Sequence, residues 1–229
     1  MREPDTQTAT RIWDLPTRLF HWLLVVLVAL QFATAEFDLL SMQWHYWFGY
    51  ATLALILFRV AWGIVGSQTS RFTDFVRGPV VVAGYLKEQI SASSPASDAQ
   101  PNVGHNPLGG WSVLVMLLCL LLQTVSGLFA SDGIDEDGPF ADLVSNATVK
   151  LMTRLHHLGE TALLVLICLH IAAVLLHWVL KHDNLILPML TGSKRIGRTR
   201  PLYFVSAWRA SIFAVIAIIA VVVLSRFAG

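Results

Sequence analysis

Long runs without charge alternate with short polar stretches along this chain, and the runs predict its elements. Leu19 to Ala35 carries no acid or base, Trp44 to Gly66 carries one (Arg59), and Pro107 to Ala130 and Thr161 to Leu180 carry none. Ala210 to Ser225 is shorter, and Trp208 and Phe227 extend it towards the interfaces. A helix needs about 20 apolar residues to cross a bilayer core. Runs this long, without two-residue alternation, are not strands. The expected fold is all-α: an integral membrane helical bundle with five transmembrane helices at about residues 19–35, 44–66, 107–130, 155–180 and 208–227. Between the second and third spans, Phe72 to Ile90 mixes apolar residues with Asp74, Arg77, Lys87 and Glu88. This pattern suits a helix lying in the membrane interface, and equally an ordinary polar loop. Ser91 to Pro101, rich in Ser, Ala and Pro, is expected to be a flexible stretch. Ala33-Thr34-Ala35 resembles a signal-peptide cleavage site. The apolar run before it is longer than the usual h-region of about 7–15 residues and contains His21 and Trp22, so a retained span is expected.

Composition narrows the class. Hydrophobic residues make up 55% of the 229 and charged ones 14%, where a soluble domain carries about a quarter. Mean hydropathy is +0.61. A net charge of +1 gives no reason to expect a nucleic-acid partner. Cys119 and Cys168 lie inside apolar runs, so neither a disulfide framework nor a thiolate metal site is expected. The basic residues are unevenly shared. Twelve Lys and Arg fall before span 1, between spans 2 and 3 and between spans 4 and 5, against three (Lys150, Arg154, Arg226) on the other side. The positive-inside rule then predicts a cytoplasmic N-terminus and a periplasmic C-terminus. The outer loop between spans 3 and 4 is acidic, with Asp132, Asp135, Glu136, Asp137 and Asp142.

Ionisable residues inside a membrane are costly and are functional candidates by default. Here they are mainly histidines: His21 in span 1, His45 in span 2, His156 and His170 in span 4. Fourteen residues separate His156 from His170. At 3.6 residues per turn they share a helical face and stand ~21 Å apart in height. His157 points to nearly the opposite face. With the topology added, His45 and His156 belong to the outer half and His21 and His170 to the inner half. Two imidazoles facing each other across a bundle can hold a haem iron between them, leaving no open position and favouring electron transfer. Zinc would need four ligands at one point. Arg59 lies fourteen residues after His45, at the depth of the inner pair. It can meet a haem propionate or snorkel to the interface. Gly49 and Gly159, close to His45 and His156, suit either a porphyrin approaching the backbone or small-residue helix packing.

Several ordered segments resemble the bacterial cytochrome b561 and Ni,Fe-hydrogenase b-type cytochrome family. They are Trp13-Asp14-Leu15-Pro16-Thr17-Arg18-Leu19-Phe20-His21-Trp22, the stretch from Trp44 to Gly49, and Phe58-Arg59-Val60-Ala61-Trp62-Gly63. Gly104-His105-Asn106-Pro107-Leu108-Gly109-Gly110 follows, then His156 through His170 to His177 and Asp183-Asn184-Leu185. Together they span residues 11–192. The resemblance implies a four-helix core holding two haem b groups, with His21, His45, His156 and His170 as axial metal ligands. It places the span at 208–227 outside that core as an extra C-terminal helix. It also implies electron transfer between a periplasmic redox partner and membrane quinone in the bacterial inner membrane. The partner classes it suggests are a c-type cytochrome or a hydrogenase-like subunit anchored by this chain. Direct superoxide:quinone oxidoreduction occurs in small members.

On that view His105, Asn106 and His177, on the cytoplasmic side, are candidate quinone-binding residues. His105-Asn106-Pro107 reads equally well as a helix-start turn. The acidic loop could steer a basic cytochrome or could be a solvated loop. A membrane anchor for an outer-face redox subunit and a haem-free transporter or scaffold are the competing classes. Membrane lipid is an expected neighbour, and a homo-oligomer is an open alternative.

Overall fold

The computed structural model describes residues 8–37, 39–90, 104–134, 136–196 and 201–227. Arg2, Asp135, Arg198, Arg200 and the Ser91–Pro101 stretch, to which the sequence reading assigned roles, lie outside them. In chain order the elements are β1 (Thr8–Arg11), α1 (Leu15–Glu36), α2 (Met42–Val65), α3 (Phe72–Phe75), α4 (Pro79–Ile90) and α5 (Pro107–Gly127). They continue with α6 (Asn146–Lys181), α7 (Ile186–Thr191), β2 (Ser193–Ile196) and α8 (Ala207–Arg226). Of these, α1, α2, α5, α6 and α8 are long and apolar enough to cross a membrane. The fold is a membrane helical bundle. Its surface confirms the solvent it is built for: Leu164, Val165, Leu169, Leu176, Val179 and many other large apolar side chains point outwards, and Leu163 is the one buried residue of α6.

Helix boundaries follow local chemistry. Asp14 caps α1 by accepting from the Thr17 backbone N–H at 2.9 Å, with Pro16 in the first turn. Asn106 does the same for α5 at 2.7 Å, before Pro107. Ser145 caps α6, which ends at His182 in the left-handed conformation, φ 51°. α6 starts at Asn146 rather than near residue 155 because this cap, and not the end of the apolar run, sets its origin. At 36 residues it is about 54 Å long, against a bilayer core of about 30 Å, so one end projects into water. The Phe72–Ile90 segment is helical but broken in two, with Val76, Arg77 and Gly78 between α3 and α4.

α1 packs on α2, α2 on α5 and α5 on α6, and no packing as close joins α1 to α6 among the described residues. α8 covers another face of α2, where Ala210, Ala217 and the preceding Val205 share a core with Phe58 and Trp62. Shorter segments tie the long helices together at both ends. At the end where α1 begins, β1 and β2 pair antiparallel, Thr8 opposite Ile196 and Arg11 opposite Ser193. α7 lies over the start of α1, with Arg18 donating to the Leu190 carbonyl and Trp22 Nε1 to the Met189 carbonyl. At the opposite end, Tyr46 OH donates to Glu136 Oε2 at 3.0 Å, and Thr153 Oγ1 accepts from the Ser131 N–H.

Beneath the hairpin, Asp14 is fully buried. Its Oδ2 accepts from Trp62 Nε1 at 2.9 Å and from Ser70 Oγ at 3.1 Å. Burial alone would raise its pKa; hydrogen bonds from Ser67, Thr17 and Trp62 outweigh it and hold the carboxyl below 3.8. This carboxylate therefore ties the start of α1 to the end of α2, and with it the positions of His21 and Arg59. The end bearing this hub also carries Arg11, Arg18, Arg71, Arg77, Lys87, Lys181, Lys194, Arg195 and Arg209. It is called the basic end below, and the opposite one, with Asp132, Glu136 and Asp137, the acidic end.

Candidate functional site

The histidines meet against α6, where His170 faces His21 of α1 and His156 faces His45 of α2. Near the basic end the His21 and His170 rings lie with centroids 6.4 Å apart and planes at 53°. Near the acidic end the His45 and His156 rings are 6.3 Å apart at 76°. His156 rather than His157 faces His45. The His157 side chain is 73% exposed and sits 3.9 Å from Glu160 on its own helix. Helical phase explains the choice: one residue is 100° of rotation.

The two pairs are held differently. His45 Nδ1 lies 3.0 Å from Thr34 Oγ1, and the Thr34 hydroxyl lies 2.8 Å from the Gln31 carbonyl. Because that hydroxyl donates to the carbonyl, it accepts from Nδ1–H. His156 Nδ1 lies 3.1 Å from the Gln123 carbonyl and 3.4 Å from Ser126 Oγ. In both cases the hydrogen bond at Nδ1 fixes the tautomer and leaves Nε2 as the unprotonated ring nitrogen. Neither His21 nor His170 has such a partner among the described residues, and His21 Nδ1 is buried without one. A cavity runs between the acidic-end helices, lined by Gln31, His45, Gly49, Thr52, Gln123, Gly127 and His156. Gln31 Oε1, Thr52 Oγ1 and Gln123 Oε1 are buried there with no hydrogen-bond partner among the described residues. Gly49 leaves open space, since a Cβ would meet only Gln31 Nε2 at 3.5 Å. The space at Gly159 is filled by the Gln123 side chain, which is helix packing.

Arg59 is 2% exposed. Among the described residues no carboxylate lies within ion-pair distance, and Nη1 has no hydrogen-bond partner. The guanidinium lies 5.0 Å from the Phe72 ring centroid, 5.9 Å from Phe75 and 6.0 Å from Phe20. A buried cation with an unused donor is a site for an anion. His105 is wedged against Phe75 and Trp13, with centroids 4.6 and 4.8 Å away. Burial, then the nearby Arg59, His170 and His21, push its pKa down to about 3, so it is a neutral imidazole in this pocket. Asn106 spends its carbonyl oxygen on the α5 cap. His177 bonds the Ala173 carbonyl through Nδ1 at 3.1 Å. No hydrogen bond or ring contact joins His177 to His105 or Asn106 among the described residues.

Sequence reasoning overlooked Thr34, Ser126, Asp14 and Trp62. The signal for the first two was present: Gln31-Phe32-Ala33-Thr34 on α1 and Gln123-Thr124-Val125-Ser126 on α5 put a hydroxyl three residues after a glutamine inside an apolar span.

Apolar spanning helices arranged around imidazoles facing each other at two heights define the class of membrane-embedded b-type cytochromes. Residues 12–192 match the family described as prokaryotic cytochrome b561. The chain belongs to this family, which carries haem and serves electron transport. It is 23% identical to a probable Ni/Fe-hydrogenase B-type cytochrome subunit of Cupriavidus necator, over 80% of this chain and 86% of the relative. A protein of the same description from Azotobacter vinelandii is 24% identical over 85% and 92%, respectively. No solved structure matches the chain.

Proposed function

We propose that this chain is a dihaem b-type cytochrome of the bacterial inner membrane. It transfers electrons between a redox partner at the acidic, periplasmic end and membrane quinone near the basic, cytoplasmic end. The two imidazole pairs carry this reading. Two imidazoles that are to share one metal ion would have to stand about 6–7 Å apart by centroid. The spacings of 6.4 and 6.3 Å fit that requirement. The unpartnered Arg59 Nη1 fits a propionate, and the cavity at Gly49 fits a flat macrocycle. His21 and His170 would hold the inner haem, His45 and His156 the outer one. When bound, each haem supplies a one-electron Fe(III)/Fe(II) couple with no open coordination position.

The remaining roles belong to side chains outside the iron ligands. Arg59 neutralises the anionic edge of the inner group, and the surrounding Phe20, Phe72 and Phe75 keep water from it. His177, and His105 with Asn106, would offer donors to the quinone carbonyls at the basic end. Orientation rests on the nine described Lys and Arg at that end against three at the other. The relatives' descriptions as hydrogenase subunits favour a multisubunit redox enzyme as the partner. The acidic loop keeps a basic c-type cytochrome as the second reading.

The test uses membranes containing the holoprotein, reduced anaerobically, freed of excess reductant and given a water-soluble quinone analogue. The reduced b-haem absorption should bleach as quinol forms. His177→Ala should slow the bleaching about tenfold, or ~1.4 kcal/mol of barrier, with both haem bands intact. No bleaching of the wild type would contradict the quinone role. An unchanged rate in the variant would move the site away from His177.

A further inference from the structure

The two histidine pairs differ in the groups behind them, and the differences share one sign. A metal-bound imidazole whose distal N–H is hydrogen-bonded becomes a stronger electron donor and stabilises the oxidised metal. Both outer histidines have such a bond, His45 to Thr34 Oγ1 at 3.0 Å and His156 to the Gln123 carbonyl at 3.1 Å, with Ser126 Oγ close by. His21 and His170 have none among the described residues. Nearby charge acts in the same direction. The cavity at the outer pair is bordered by Glu36, Asp132, Glu136 and Glu160, and no Lys or Arg lines it. At the inner pair the buried charge is the Arg59 guanidinium. Buried Asp14, held ionised by Trp62, Ser70 and Thr17, offsets part of that positive charge, whereas the charged residues lining the outer cavity are all acids. Positive charge favours the reduced iron, and negative charge the oxidised iron.

We propose that Gln31–Thr34 and Gln123–Ser126 form a matched pair of imidazole clamps that make the outer site the lower in potential of the two, with Arg59 making the inner site the higher. Thr34 and Ser126 are positioning residues: each acts through the histidine it contacts. The two clamps come from different helices, α1 and α5, yet use the same device, a glutamine carbonyl plus a hydroxyl three residues on. The consequence is a direction. One electron passing inward oxidises the outer site and reduces the inner one, with no proton needed for that transfer. Electrons therefore run downhill from a one-electron donor at the acidic end towards the basic end. Two of them, with two protons, complete the reduction of one quinone. This rests on the two-haem reading above.

An equilibrium redox titration of the purified holoprotein in lipid nanodiscs, followed by b-haem absorption, tests the ordering. Two one-electron steps are expected in the wild type. His45→Ala should abolish the lower step and retain the upper. Thr34→Val should keep both haems and move the lower step upward, leaving the upper in place. Ser126→Ala should give a smaller shift of the same sign, because the Gln123 carbonyl remains. Two coincident steps in the wild type would overturn the proposal. So would loss of the upper step in His45→Ala, or a Thr34→Val titration in which the lower step stays put. If His45→Ala destabilises the protein, the Thr34→Val titration decides alone. A His45→Ala protein that still holds two haems would instead contradict the histidine pairing of the proposed function.

Discussion

At the scale of single residues, the histidine pattern was legible because periodicity is a property of sequence. His156 shares a face with His170, and the structure brings its ring to His45. What stands behind each ring was not legible. Gln31 and Thr34 stand out as polar in a largely apolar run, but the contact of Thr34 with His45 depends on how α1 meets α2. His105 read equally well as a ligand contact or a turn residue; the structure buries it between Trp13 and Phe75. That burial has a pH signature. Its pKa falls from 6.5 to about 3 on folding, so between those values the unfolded chain binds one more proton. Stability then rises with pH across this window and is lost as pH falls through it. Thermal melts of the holoprotein between pH 6.5 and pH 4 should show a declining midpoint, and His105→Leu should flatten that decline. An equally steep decline in the variant would mean that His105 is not the buried neutral group assigned here.

At the scale of elements, the five spans were legible from their apolar runs alone. The hairpin of β1 and β2, and α7, were not, because neither carries a periodic pattern and both exist through partners distant in sequence. Arg18 reaching Leu190 and Trp22 reaching Met189 illustrate this. These small elements matter because no packing as close as that of α5 on α6 joins α1 to α6 among the described residues, and they help to hold that separation. The α5 helix approaches α6 closely at Gly127. A Cβ there would lie 2.7 Å from His156 Cε1, closer than a methyl group can sit. Gly127→Ala should therefore displace the His156 ring. The expected result is loss or high-spin conversion of one haem signal in the optical and EPR spectra, with the other unchanged. Two unaltered low-spin signals would show that the ring tolerates the methyl group.

At the scale of the whole molecule, the arrangement is a lipid-facing shell around a divided polar interior. α8 packs chiefly on α2 and carries no histidine. The basic end is closed by the hairpin, α7 and the Asp14 hub; the acidic end opens into the cavity beside His45 and His156. On the proposed function this interior holds two b haems, each between one pair of histidines. The most direct measurement is haem per chain by pyridine haemochrome assay on the purified wild type, His45→Ala and His170→Ala proteins. Two haems are expected in the wild type and one in each variant, with the remaining haem spectroscopically different between the variants. One haem or none in the wild type, or two retained after either substitution, would contradict that function.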